Sequence, residues 1–264
     1  MASAERGVGV AAGPLFPAGA AVGVFAAAVA AMLVVGGALA TTGVPALAMV
    51  LTVQLGCIGA VPVLAGWRRF GPAWPAALGL RRARPRALVG AVAVGLGFWY
   101  VNLALSAPLS RWLGSDAELE HLAELVSAAP MWLMLLALAA APAVCEELLV
   151  RGVLTRALAP ALGRVGAILA GAALFSLLHF SIARLVPTVL FGVVLGYAVL
   201  VTGSAVPGIF MHALNNAVAL LLATGRLPVL DEAMRAHPIA WLAGALTACA
   251  LGIALLPTGD KKSQ

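Results

Sequence analysis

Apolar runs about as long as a bilayer is thick recur along the chain, at residues 18–40, 44–66, 87–108, 130–150, 165–182, 185–201, 205–224 and 238–256. A hydrocarbon core of about 30 Å takes about 20 helical residues to cross. Each run is dominated by Ala, Leu, Val and Gly, and each ends at Pro, Gly or charge. Eight such runs in 264 residues leave only short loops between them. Composition points the same way, with 63% hydrophobic and 10% charged residues, where a soluble domain carries about 25% charged. The sequence therefore predicts an all-α fold, a polytopic membrane helical bundle of about eight transmembrane helices. It forms one membrane domain over residues 1–264. An ordinary soluble domain is excluded.

Charge sets the expected orientation. The loop between the second and third runs holds Arg68, Arg69, Arg81, Arg82, Arg84 and Arg86, and such cations collect on the cytoplasmic side. Threading eight spans from that anchor places Arg6, Arg151, Arg156, Arg164, Lys261 and Lys262 on the same side. Arg111, Arg184, Arg226 and Arg235 fall outside, as does the acidic loop of Asp116, Glu118, Glu120 and Glu124. Twelve of the 16 basic residues, and both termini, are then cytoplasmic. The net charge of +6 reads as topology signal and affinity for anionic membrane lipid, with no nucleic acid as partner. The first run is longer than the 7–15 residues of a signal-peptide core and is read as a retained helix. Cys57, Cys145 and Cys249 lie far apart inside apolar runs and read as small buried hydrophobes.

Polar side chains carry the functional signal, because an ionisable group at the bilayer centre costs at least about 2.5–3.5 kcal/mol. The ionisable groups within the runs are confined to the stretch from 146 to 212. In Pro142-Ala-Val-Cys-Glu146-Glu147-Leu-Leu-Val-Arg151, Glu147 and Arg151 pair at i,i+4 with the acid on the N-terminal side. Glu146 points about 100° away, with no cation at i+3 or i+4, and is left free to act as a general base. Phe175 and His179 share a helix face. His212 and Asn216 share another, with Asn215 one position off it, and both could donate hydrogen bonds to an oxyanion. Asn102 stands alone in the third run. Each group by itself also fits a salt bridge, a packed histidine or an interhelical hydrogen bond.

Together, the ordered set Glu-Glu-x3-Arg, Phe-x3-His and His-x3-Asn resembles the CPBP family of intramembrane proteases (CAAX protease and bacteriocin-processing, also called Abi), whose best-known members are Rce1-like. The likeness covers about residues 125–224, which would form the catalytic core. It implies that Glu146 and His179 activate the attacking water and that His212 and Asn216 stabilise the oxyanion. Glu147, Arg151 and Phe175 would support them. Zinc bound by Glu146, His179 and His212 is the other reading of the family. The absence of His-Glu-x-x-His, with an asparagine where a ligand would be wanted, favours a metal-free reaction and no cofactor.

The expected activity is hydrolysis of a peptide bond in a membrane-bound or lipid-anchored protein or peptide substrate. High Ala and Gly with Arg far above Lys suggests a bacterial inner membrane, where peptide maturation or sorting-signal processing suits better than a prenylated substrate. A non-catalytic scaffold or bacteriocin-immunity protein of the same family is the alternative, and a transporter is a third. Geometry adds a condition. Glu146 and His179 meet at depth only if the helix after Arg151 continues for two further turns or folds back as a re-entrant element. A water-filled cavity open to the cytoplasm and lined by Glu146, His179, His212 and Asn216 is expected.

Overall fold

Prolines and glycines punctuate the chain into helices, and the computed structural model describes residues 14–113 and 129–257. The acidic loop of Asp116 to Glu124, together with Arg6, Lys261 and Lys262, lies outside those residues. Among them are α1 (Ala18–Ala40), α2 (Ala46–Ala77), α3 (Pro85–Leu113), α4 (Met131–Leu177), α5 (Ile182–Thr202), α6 (Val206–Ala223), α7 (Pro228–Ala236) and α8 (Pro238–Leu255), with no strand. Proline falls in the first turn of α6, α7 and α8, where its missing N–H costs nothing. α5 ends on left-handed Gly203, whose N–H caps the Val199 carbonyl. All but α7 are long and apolar enough to cross a membrane, which makes seven by length and composition.

The longest of these, α4, is a hairpin. At Gly163 the backbone takes φ 69° and ψ 171°, a region essentially open to glycine alone. Beyond it the chain turns back. Thr155 packs against Gly171, and the Arg151 guanidinium lies 4.0 Å from the centre of the Phe175 ring. In a straight helix those last two would stand about 36 Å apart. The legs 131–162 and 164–177 are therefore antiparallel, and they correspond to the fourth and fifth expected runs. Of the two routes open to the chain, it takes the continued helix. Glu146 lies seventeen residues before Gly163 and His179 sixteen after it, so both return to the same level.

Continuation of that helix corrects one expectation. Arg151 and Arg156 are each 1% exposed, so they sit inside the bundle and not in a cytoplasmic loop. The charge asymmetry then rests on ten cations against four. Arg156 caps the end of α2, donating to the carbonyls of Ala77 at 2.8 Å and Ala76 at 3.3 Å. The α2–α3 connection is drawn onto the start of α6 by Ala205 N–H to the Gly79 carbonyl, 2.9 Å, and by the Ser204 hydroxyl to the Arg81 carbonyl, 2.7 Å.

Small residues let the helices approach closely. A Cβ at Gly97 of α3 would stand 2.7 Å from the Ala245 carbonyl oxygen of α8, the kind of contact by which membrane helices associate without a hydrophobic drive. The main core gathers Phe98, Leu149, Val150, Phe175, Phe191, Leu195 and Met211, with Phe98 and Phe191 stacked at 4.8 Å. Cys57, Cys145 and Cys249 are buried free thiols.

Candidate active site

Local irregularity in α4 shapes the site. Residues Leu136–Ala140 and Glu147–Thr155 are π-helical, a form frequent at functional positions. Between them Pro142 has no N–H to give the carbonyl four residues back, that of Leu138. The side-chain amide of Asn216 lies 3.5 Å from that carbonyl and donates to it. A proline in one helix thus opens an acceptor for an asparagine in another.

The two adjacent glutamates have different partners. Glu147 is wholly buried, with Arg151 Nη1 at 2.9 Å from its Oε1 and His212 Nδ1 at 3.3 Å from the same oxygen. A Cβ at Gly208, one turn before His212, would stand 2.7 Å from Glu147 Oε2. Only hydrogen there leaves the carboxylate room. Arg151 also donates to the Gly192 carbonyl at 3.4 Å. Gly192 lies ten residues from either end of α5, about 15 Å along the axis, so the pair sits at mid-depth. Glu146 faces elsewhere. Gln54 of α2 donates its amide to Glu146 Oε1 at 2.8 Å. Glu146 Oε2 is buried without a hydrogen bond and stands 3.9 Å from His212 Nε2.

His179 departs from its expected place inside a span. The helix stops at Leu177, and His179 lies in the turn that follows, where Phe180 takes φ 47°. Its Nδ1 lies 3.1 Å from the Phe175 carbonyl oxygen. Burial pushes the imidazole below its ordinary value, partly opposed by the charge of Glu146. The Phe175 ring stands edge-on between the two histidines, 5.1 Å from His179 and 5.6 Å from His212. Asn216, one turn beyond His212, accepts at 3.1 Å from Asn215, which accepts at 2.9 Å from Asn102 of α3.

Glu146, Glu147, Arg151, Phe175 and His212 therefore form one contiguous cluster, with His179 across the Phe175 ring and Asn216 beside it. The direct neighbours of Glu146 are Gln54 and His212. Sequence reasoning passed over Gln54, although it is the one glutamine within any apolar run. It also left Asn102 unconnected.

One further expectation, and the less favoured zinc reading, bear on the same residues. Of the four residues expected to line a cavity, Glu146 and His212 are buried, 7% and 2% exposed, whereas His179 and Asn216 are half-buried. Two grooves of about 310 Å³ lie elsewhere, one between α3 and α8 at Trp99, Tyr100 and Trp241, the other around Ile168, Val194 and Tyr197. The zinc set does not fit. Among the described residues no three His, Cys, Asp or Glu side chains are grouped to hold a metal ion. His179 has turned one ring nitrogen onto a backbone carbonyl.

Residues 128–218 match the family model described as Rce1-like, type II CAAX prenyl endopeptidase. This part of the chain is similar to that family. The matching segment contains all seven residues of the three motifs, whereas Gln54 and Asn102 lie before it. No curated protein matches the chain, and no solved structure does.

Proposed function

We propose that the chain is an intramembrane endopeptidase that hydrolyses a peptide bond of a membrane-associated or lipid-anchored substrate. The observation that carries this reading is the separation of two neighbouring carboxylates. Glu147 is held by Arg151 and His212, while Glu146 keeps one buried oxygen without a hydrogen bond, facing an imidazole at 3.9 Å. Each carboxylate has one buried oxygen without a hydrogen bond, but that of Glu147 faces Gly208 whereas that of Glu146 faces the His212 imidazole.

The roles follow from the hydrogen bonds. A carbonyl only accepts, so His179 Nδ1 carries the hydrogen toward Phe175 and Nε2 presents a lone pair. Glu146 takes a proton from water, with His179 as its partner base, and the hydroxide adds to the scissile carbonyl carbon. Glu147 likewise accepts from Nδ1–H of His212 and turns Nε2 toward the reacting centre. Protonated on both nitrogens, that imidazole would donate Nε2–H to the oxyanion alongside the Asn216 amide. When the tetrahedral species collapses, the C–N bond breaks and the proton held by Glu146 passes to the leaving amine. No step requires a metal.

Burial of Glu146 and His212 is the one observation favouring the non-catalytic scaffold. Isolated membranes from cells expressing the full chain separate the two readings, with new peptide termini identified by mass spectrometry. Wild-type membranes should accumulate termini that Glu146→Gln membranes lack at equal protein level. Identical sets of termini would refute the hydrolytic reading.

A further inference from the structure

Gln54 stands outside the Rce1-like segment, on a helix with no motif residue, yet it makes the shortest contact to Glu146. Its position is built by local structure. Residues Gln54–Gly59 form a π-helical turn in α2, in which backbone bonds join i to i+5. Gly59 closes that turn, and a Cβ there would stand 2.7 Å from Cys145 Sγ. The missing side chain lets α2 lie directly on the residue preceding Glu146, and this brings the Gln54 amide within reach.

The amide is half satisfied. Nε2 donates to Glu146 Oε1 at 2.8 Å, while Oε1 is buried without a partner. Asn102 Oδ1 is likewise unbonded, and what distinguishes Gln54 is the destination of its donor, the carboxylate of Glu146. Here one end is committed to the reactive carboxylate and the other is left for a hydrogen that arrives with substrate or water. We propose that Gln54 is a positioning residue for peptide-bond hydrolysis, a clamp from α2 that fixes which oxygen of Glu146 meets the water. The proposal rests on the hydrolytic reading above. It makes the site a product of two parts of the chain, with the base on the Rce1-like segment and its clamp on an earlier helix.

Two substitutions test it in the isolated-membrane assay, each scored by the rate at which the Glu146-dependent termini appear. Gln54→Leu removes the donor and suits an apolar helix, and the rate should fall about tenfold to a hundredfold, the range for a hydrogen bond to a charged group. Gln54→Glu keeps the shape but donates only when protonated. Around this pair stand His212 on α6, the Glu147–Arg151 pair and Cys145 on α4, and His179 in the turn after α4. These groups are common to wild type and variant. The rate of Gln54→Glu relative to wild type should therefore rise as pH falls. A merely structural role would leave that ratio flat. Wild-type rates in Gln54→Leu, or a flat ratio in Gln54→Glu, would overturn the clamp while leaving the protease reading intact. Unchanged termini in Glu146→Gln would overturn the protease reading itself, and the clamp with it.

Discussion

Arg151→Met isolates the electrostatics that make this site possible. The Arg151–Glu147 contact of 2.9 Å corresponds to about 6 kcal/mol of gross Coulomb attraction at an effective dielectric of about 20. Much of that is offset by desolvation, since the two side chains are 1% and 0% exposed. Removing one partner does not recover the desolvation of the other. Glu147 would be left buried with Oε2 unbonded and with only His212 beside it. The expected loss is about 3–5 kcal/mol, to which the stacking of Arg151 on Phe175 at 4.0 Å adds. Methionine keeps the length of the stem, so the void is small. Reversible unfolding in mixed micelles, followed by circular dichroism, measures the difference. The control is Glu147→Gln with Arg151→Met, which removes both charges and should regain most of the stability while leaving His212 an acceptor. A single-variant loss below about 1 kcal/mol would refute the reasoning, as would a double variant no more stable than the single one.

Asn102→Leu should cost about 0.6 kcal/mol of stability, the average for an interhelical hydrogen bond. Its turnover should fall by more than the roughly threefold that this energy represents, because the Asn102–Asn215–Asn216 chain also orients the Asn216 amide; a fall no larger than threefold refutes the orienting role. Gly163→Ala should destabilise by about 1–3 kcal/mol in the same unfolding assay. Its cost would come from the backbone alone, since nothing lies within 4 Å of a Cβ there. His179 is held below its ordinary value by burial, so the unfolded chain takes up a proton first as pH falls. Its contribution to stability is present above about pH 6.5 and is lost below it, and stability–pH curves for wild type and His179→Leu should diverge only on that acidic side.

The sequence makes the helical class legible because apolar length is a one-dimensional property. Likewise the Glu147–Arg151 and His212–Asn216 pairs follow from helical spacing within one element. What escapes is what depends on departures from the α-helix. The hairpin at Gly163 is not visible to hydropathy, which separates the legs as the runs 130–150 and 165–182 but gives no sign of the backbone turn between them. Placing His179 inside a span missed the break after Leu177, since Ser176, Leu177 and Leu178 continue the apolar pattern without Gly or Pro. Arg151 and Arg156 read as loop cations because nothing local says that their helix runs on to a glycine. Gln54 could have been found by the same rule that selected the glutamates, as a polar residue where polarity is costly. Its partner could not, since 92 residues separate them.

One backbone feature ties these parts together. In a regular α-helix Glu146 and Glu147 would diverge by about 100° and nothing more. Here the α-helical run ends at Glu146 and the π-helical run begins at Glu147, so the two carboxylates belong to different local geometries. Glu147 meets α6 at Gly208 and His212. Glu146 meets α2, where another π-helical turn supplies Gln54. Two like charges on consecutive residues would repel one another in an apolar core, unless each is drawn to a separate helix with its own donors. On the proposed function, the seam between α2 and α6 along α4 is where a substrate strand would enter, because its carbonyl would have to reach Glu146 Oε2 and His212 Nε2 together. With those atoms 3.9 Å apart, the proposed hydrolysis would need α2 or α6 to move outward against α4 to admit a carbonyl and a water.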